Sequence, residues 1–323
     1  MKKRVLSGMQ PSGKPHLGNY LGAMHQHIAL QDEADCFYFI ANYHALTTVR
    51  DGEKLRKMSY ELALDYLALG LDPNKATFFL QSDVPEVTEL TWILSTITNI
   101  GLIERAHAWK DALQKGKKNP SVGLFIYPIL MAVDILIYSP DSVPVGQDQK
   151  QHVEIAADIA GTFNHLYGET FSIPAVDIRE DVAVVPGTDG QKMSKSYNNT
   201  IEIFAPADEL KKQVFSVKTD SADIRESKDP AECIPFQLYR QFASKEKTAE
   251  MESGLREGGL GYGTIKTQLF EELLDFFAEA RARRLELEKQ PDYVREVLKK
   301  GGEKARLIAQ AKLDEVRTKV GLS

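Results

Sequence analysis

Cysteine is scarce: Cys36 and Cys233 are the two in 323 residues. That is too few for a disulfide framework, or for a four-thiolate zinc or iron–sulfur site within one chain. Two thiols suit a reducing compartment, and Cys36, inside the apolar run 36–41, reads as a core side chain. Long hydrophobic runs are missing as well, none reaching the ~20 residues that a spanning helix needs. The basic start Met1-Lys2-Lys3-Arg4 leads at once into a strand-like run with no apolar h-region, so no signal peptide and no membrane segment are expected, and a cytoplasmic location is. Excess positive charge is absent, since 40 Lys and Arg against 46 Asp and Glu leave a net −6. Overall charge therefore gives no support for polyanion binding, and an RNA partner would need a local basic patch. Lys110, Lys115, Lys117 and Lys118 in one stretch, and Lys299, Lys300, Lys304 and Arg306 in another, are candidates; an ion-paired, solvated helix face explains each equally well. The first turn lacks GxGxxG, which disfavours a plain nicotinamide-binding protein.

The 43% hydrophobic composition is enough for a large core, and the length suggests two domains. Strand-like runs at 4–7, 36–41, 76–80, 142–145 and 182–185 alternate with helix-like segments at 17–30, 54–69, 86–97 and 149–166. This alternation predicts an α/β fold, a doubly wound parallel sheet, with ligands bound at the carboxyl ends of the strands. Beyond about 205 helical periodicity takes over, at 208–215, 235–243, 262–286 and 292–320, with the charged, turn-rich 221–230 stretch read as a linker. The expected division is a Rossmann-like domain over 1–205 and a helical domain over 206–323.

Three segments carry chemistry. Pro15-His16-Leu17-Gly18-Asn19 lies on a strand-to-helix turn, where glycines permit close backbone approach and the free N–H groups of a helix start favour phosphate oxygens. His16 and Asn19, three apart, share one side of the first helical turn, and both can donate to a triphosphate; an ordinary turn with a solvent-facing histidine is the alternative. Lys192-Met193-Ser194-Lys195-Ser196 follows a turn-rich loop containing Asp189-Gly190 and sets two ammonium groups on one exposed stretch. In the third, Tyr127 to Leu136, Pro128 is read at the first turn of a helix that is apolar nearly all round except for Asp134; Tyr127, Met131, Asp134 and Tyr138 share a face. A carboxylate there needs a donor. Either a ligand N–H or O–H, or a distant Arg or Lys, would serve.

The first two segments, in this order and at this separation, resemble the HIGH-like and KMSKS signatures of class I aminoacyl-tRNA synthetases. The 127–136 helix, followed by Val143-Pro144-Val145-Gly146-Gln147-Asp148-Gln149-Lys150-Gln151-His152, and the early runs 7–13 and 18–23, resemble the tryptophanyl-tRNA synthetase pattern. The resemblance covers the whole catalytic half and, more weakly, the helical half. It implies activation of L-tryptophan by ATP with Mg2+, transfer to tRNA(Trp), a homodimer, and anticodon binding by the helical domain.

The resemblance also implies site residues. His16, Asn19, Lys192 and Lys195 would be catalytic, the lysines stabilising charge that builds on the departing pyrophosphate. Nucleotide contacts would come from Gln10, Pro11, Ser12, Gly18 and Asn19, from Gly146, Gln147 and Asp148, from the Val185 backbone, and from Lys192, Met193, Ser194, Lys195 and Ser196. Asp148 and Gln151 equally suit a capping box. Asp134 would accept the indole N–H, with Met131, Tyr127 and Gln149 around the amino acid and His44 a candidate pocket residue; Leu6, Val143 and Val145 would be walls. Two departures stand out. Asn19 replaces the second histidine of the HIGH pattern, as in the tryptophan and related branches, and Cys233 alone cannot build the iron–sulfur cluster that some tryptophan enzymes carry. The alternatives are the sister tyrosine branch, and a synthetase-like protein that binds tryptophan for regulation without charging tRNA.

Overall fold

The computed structural model describes residues 2–106, 109–110, 119–145, 149–174, 176–178 and 185–322. Contacts divide the chain into two units, one of 1–13, 27–181 and 290–323, the other of 14–26 and 182–289.

In the first unit, β1 (Arg4–Met9), β2 (Asp35–Ile40) and β3 (Ala76–Leu80) pair in parallel in the order β1-β2-β3. β4 (Val143–Val145) pairs in parallel with β5 (Val176–Ile178). A parallel bridge from Val5 to Ser142, with the Leu6 N–H 3.4 Å from the Ser142 carbonyl, sets β4 beside β1. The resulting order β3-β2-β1-β4-β5 reverses direction at β1/β4, as a doubly wound sheet does. β5 is a strand that the sequence pattern did not suggest. The 182–184 part of the expected strand at 182–185 lies outside the described residues.

Phe37, Phe39, Phe79 and Leu6 face a core filled by helices Glu86–Ser95, Val122–Leu136, Lys150–Tyr167 and Pro291–Val320. Cys36 is fully buried. Pro128 does not begin its helix. The helix starts at Val122, with the Ser121 Oγ accepting the Leu124 N–H at 3.3 Å, and Pro128 lies inside it. The apolar residues before the proline carry the same helical pattern as those after it, so a start signal at Pro128 was misleading.

Helix Pro291–Val320, expected in a separate C-terminal domain, packs on β3 and groups with the sheet. Helical periodicity shows a buried face but not what buries it, so this placement was not legible beforehand. The helix backbone approaches so closely that a Cβ on Gly301 would overlap the Phe78 carbonyl, and one on Gly302 would lie 2.8 Å from the Asp83 Cβ. Arg306 donates to Glu86 at 2.7 Å, and Arg317 grips Glu89 at 2.6 and 2.8 Å. The basic cluster of this helix is largely committed: Lys299 pairs with Glu303, Lys300 with Glu296, and Lys304 lies over the Phe37 ring. On a free helix surface Gly301→Ala would stabilise by about 1 kcal/mol. Against the Phe78 backbone it is expected instead to cost a net ~1–3 kcal/mol or more, read as a lower thermal midpoint; an unchanged or raised midpoint would remove this contact from the account.

The second unit holds helices Ala207–Phe215, Ile234–Tyr239, Lys245–Glu257, Tyr262–Phe276 and Ala278–Glu288. The single helix read over 262–286 is broken at Phe277, whose φ of −95° and ψ of 8° leave the helical region. Helix Lys245–Glu257 was missed because it buries little more than Met251 and Leu255. The 221–230 stretch is an ordered part of this unit: Lys228 is buried, and its ammonium donates to the carbonyls of Asp223 (2.7 Å) and Glu226 (3.1 Å). Arg281 ties the chain at Ile203 and Ala205 through their carbonyls, at 2.6 and 2.5 Å. Among the described residues no helix is long and apolar enough to cross a membrane.

Candidate active site

In the first unit, chemistry gathers where β2 and β3 end. Past β2 the chain turns into the short helix Asn42–Ala45, which carries His44; past β3 comes a 3-10 turn, Gln81–Asp83. Asp134, 3% exposed, meets both. Its Oδ2 lies 2.8 Å from His44 Nε2, and Gln81 Nε2 lies 2.9 and 2.8 Å from its two oxygens. Gln81, 1% exposed, uses its own oxygen to accept the Tyr43 N–H at 3.0 Å and the His44 N–H at 3.4 Å. Asn42 and Ser82 exchange two more bonds, so the turn and the short helix are locked together. The carboxylate's need for donors is thus met within the protein by a histidine and an amide, not by Arg or Lys. An ionised carboxylate only accepts, so the His44 Nε2 carries the proton, and two oxygens with about four lone-pair directions still leave room for one more donor.

Gln81 is the residue that sequence reasoning missed. An isolated glutamine at a strand end carries no motif, and the sole signal was its place at a carboxyl end of the sheet. Tyr127, one face along the same helix, has its hydroxyl 2.8 Å from His152 Nε2, and burial pushes its phenol up to about 12, so it stays neutral. Met131 and Gln149 are half-buried, while Leu6 and Val143 are buried. Of the early nucleotide candidates, Gln10 and Ser12 are exposed and Pro11 is buried. Gly146, Gln147 and Asp148, like Lys115, Lys117 and Lys118, lie outside the described residues, as does the Val145 side chain.

In the second unit the HIGH-like turn and the KMSKS loop come together. His16 is 5% exposed, in extended backbone before the helical turn Leu17–Asn19, and its N–H donates to Asn19 Oδ1 at 3.2 Å. Asn19 therefore braces its own turn with the amide oxygen and keeps its Nδ2 as a donor. The Leu17 N–H donates to Ile201 at 3.0 Å and the Ile203 N–H to Pro15 at 3.2 Å, fixing the turn beside the chain that leaves the KMSKS loop. A Cβ on Gly18 would sit 3.0 Å from His16 Nδ1 and 3.4 Å from the Met193 Cβ. Glycine is what lets the two segments touch there. Met193 is buried and its N–H donates to the Val185 carbonyl at 2.9 Å; Lys192 is exposed, and Lys195 and Ser194 are half-buried.

Burial, reinforced by the Lys195 ammonium, lowers the His16 imidazole to about 4, so it is neutral at pH 7. His27, fully buried in the other unit, is lowered to about 4 by burial alone. Both are easier to protonate in the unfolded chain. Stability from this source is therefore complete above pH 6.5 and is lost as pH falls toward 4, by on the order of 1–2 kcal/mol per histidine at pH 5. The urea midpoint is expected to be lower at pH 5 than at pH 7, and equal midpoints would refute the shifts.

Residues 1–278 match the family model described as tRNA synthetases class I (W and Y). A tryptophan--tRNA ligase of Fusobacterium nucleatum is 53% identical, over 99% of this chain and 98% of its own length, and one of Rhodopirellula baltica is 51% identical, over 99% of both. The crystal structure of tryptophanyl-tRNA synthetase from Campylobacter jejuni, complexed with ADP and tryptophan, is similar with a TM-score of 0.94 and 49% identity, over 99% of this chain and 100% of that one. Two motifs braced against each other, a doubly wound sheet and likeness along the full length all agree: the chain belongs to the class I tRNA synthetases of the tryptophan and tyrosine group.

Proposed function

We propose that the chain activates L-tryptophan with ATP and transfers it to tRNA(Trp). The observation that carries this reading is Asp134, a buried carboxylate held by His44 and Gln81 with capacity for one further donor. Indole offers one N–H donor and no acceptor, which suits that capacity. Likeness to tryptophan--tRNA ligases at about half identity over the full length supports the same substrate.

The tryptophan carboxylate oxygen attacks the ATP α-phosphorus, the bond to the bridging oxygen breaks, and pyrophosphate leaves with the electron pair, giving the mixed anhydride. A terminal ribose hydroxyl of tRNA then attacks the acyl carbon, and AMP leaves. His16, as neutral imidazole, and Asn19 donate hydrogen bonds to the triphosphate; Lys192 and Lys195 meet the charge that grows on pyrophosphate. Gln10, Pro11, Ser12, Gly18, the 146–148 segment, Val185, Met193, Ser194 and Ser196 contact the nucleotide, and Mg2+ arrives on its phosphates. Met131, Tyr127 and Gln149 surround the amino acid. We further propose that the protein works in the cytoplasm as a homodimer, with the 206–323 portion, most of whose helices sit in the second unit, binding the anticodon.

ATP–pyrophosphate exchange offered tryptophan, tyrosine and phenylalanine separately tests the reading. Exchange with tryptophan alone is expected. Exchange with tyrosine would move the chain to the sister branch, and none with any amino acid would leave a tryptophan-binding regulator.

A further inference from the structure

We infer that Asn199, outside the KMSKS segment, is the positioning residue that sets the backbone from which Lys192 and Lys195 act; the inference rests on the adenylate-forming reading above. The KMSKS residues have little regular structure of their own, a single 3-10 turn at Lys195–Tyr197. Their shape comes instead from one side-chain amide. Asn199 is 1% exposed, and its Oδ1 accepts the Ser194 N–H at 2.7 Å while its Nδ2 donates to the Lys192 carbonyl at 3.1 Å and to Asp189 Oδ1 at 2.7 Å.

Those two backbone groups flank Met193, so the amide fixes the segment on both sides of that residue and on the first lysine itself. Only a side chain with an acceptor and two donors can hold all three partners at once. The fold makes room for it. The Asn199 carbonyl accepts the Thr188 N–H at 2.9 Å, the Gly187 N–H donates to the Gln191 carbonyl at 2.7 Å, and a Cβ on Gly187 would overlap the Asn199 amide. Asn198, in the left-handed region at φ 53°, turns the chain just before it. Asp189 is anchored by the Gln191 N–H at 3.0 Å, and the Asn199 N–H holds its carboxyl below the usual range.

An amide buried to this degree loses more when its bonds are broken than when they are never made. Its effect on the reaction passes through the lysines, since both of its KMSKS contacts are to backbone. Loss of Asn199 therefore differs in kind from loss of a substrate contact: binding of tryptophan is untouched, and the rate of adenylate formation falls.

Exchange and single-turnover adenylate formation are measured for wild type, Asn199→Ala, Asn199→Asp, Lys192→Ala/Lys195→Ala, and the triple variant. Asn199→Asp keeps the acceptor for the Ser194 N–H but sets a carboxylate against Asp189, and it serves if the alanine variant fails to fold. Each Asn199 variant is expected to lower kcat by about 10–100-fold with KM for tryptophan within about twofold. In the background without the lysines, Asn199→Ala is expected to change the rate by less than about threefold, because groups acting as a unit are not additive. Wild-type kcat in both Asn199 variants, or an undiminished loss in the lysine-free background, would overturn the inference. If wild type itself shows no tryptophan-dependent exchange, the functional reading falls first and this inference with it.

Discussion

Replacing Asp134 by alanine is expected to lower kcat/KM for tryptophan in exchange by about 10²–10³-fold, with KM for ATP little changed. The size follows from what is left behind. Without the carboxylate, Gln81 Nε2 loses its acceptor on both oxygens and His44 Nε2 loses its partner, while the indole N–H enters a site with nothing to accept it. The stranded Gln81 and His44 donors lower the folding stability of the variant, whereas the loss in kcat/KM comes from the indole N–H, which is desolvated on binding without an acceptor. A tryptophan analogue with sulfur in place of the ring N–H sharpens the test. Wild type should discriminate strongly against it, whereas Asp134→Ala should accept both ligands nearly alike. Equal discrimination in the two proteins would show that the carboxylate does not read the indole.

Lys195→Ala is expected to lower the rate of adenylate formation by about 10²–10³-fold, roughly 3–4 kcal/mol of transition-state stabilisation, while the dissociation constant for tryptophan stays within about twofold. On the proposed mechanism the ammonium meets charge that is larger on the departing pyrophosphate than on bound ATP, so its loss should fall on kcat rather than on amino-acid binding. A second readout comes from His16. Lys195 is one of the two causes that hold the imidazole near 4, the smaller after burial, so in Lys195→Ala the imidazole should titrate at a somewhat higher pH, followed by its ring proton resonances. A retained rate would dismiss the lysine from catalysis; an unmoved imidazole would separate the two groups.

The sheet was legible because its strands are short apolar runs bounded by turns, and four of the five expected runs correspond to β1, β2, β3 and β4 within two residues. Val176–Ile178 escaped notice because three residues carry no periodicity. Pro128 misled for the opposite reason: a strong local signal was overridden by tertiary packing that holds a helix on both sides of it. In the candidate site, the segments legible beforehand were contiguous motifs, His16 to Asn19 and Lys192 to Ser196, which the structure brings together at Gly18 and Met193. Gln81 and Asn199 were opaque. Each acts by meeting partners far along the chain or by bonding backbone groups, and neither leaves a trace in composition or spacing.

The grouping of Pro291–Val320 with the sheet has a consequence for how the protein is made. β3 is laid down early, yet the helix whose Gly301 and Gly302 seat against β3 and its following turn is translated after the whole of the second unit. On a ribosome the second unit can close on itself while the first still waits for its last segment. Contacts between residues so distant in sequence form slowly. The flank of β3 is thus exposed throughout synthesis of the intervening helices, and a nascent chain stalled before Pro291 should be the species most prone to capture by chaperones or to aggregation.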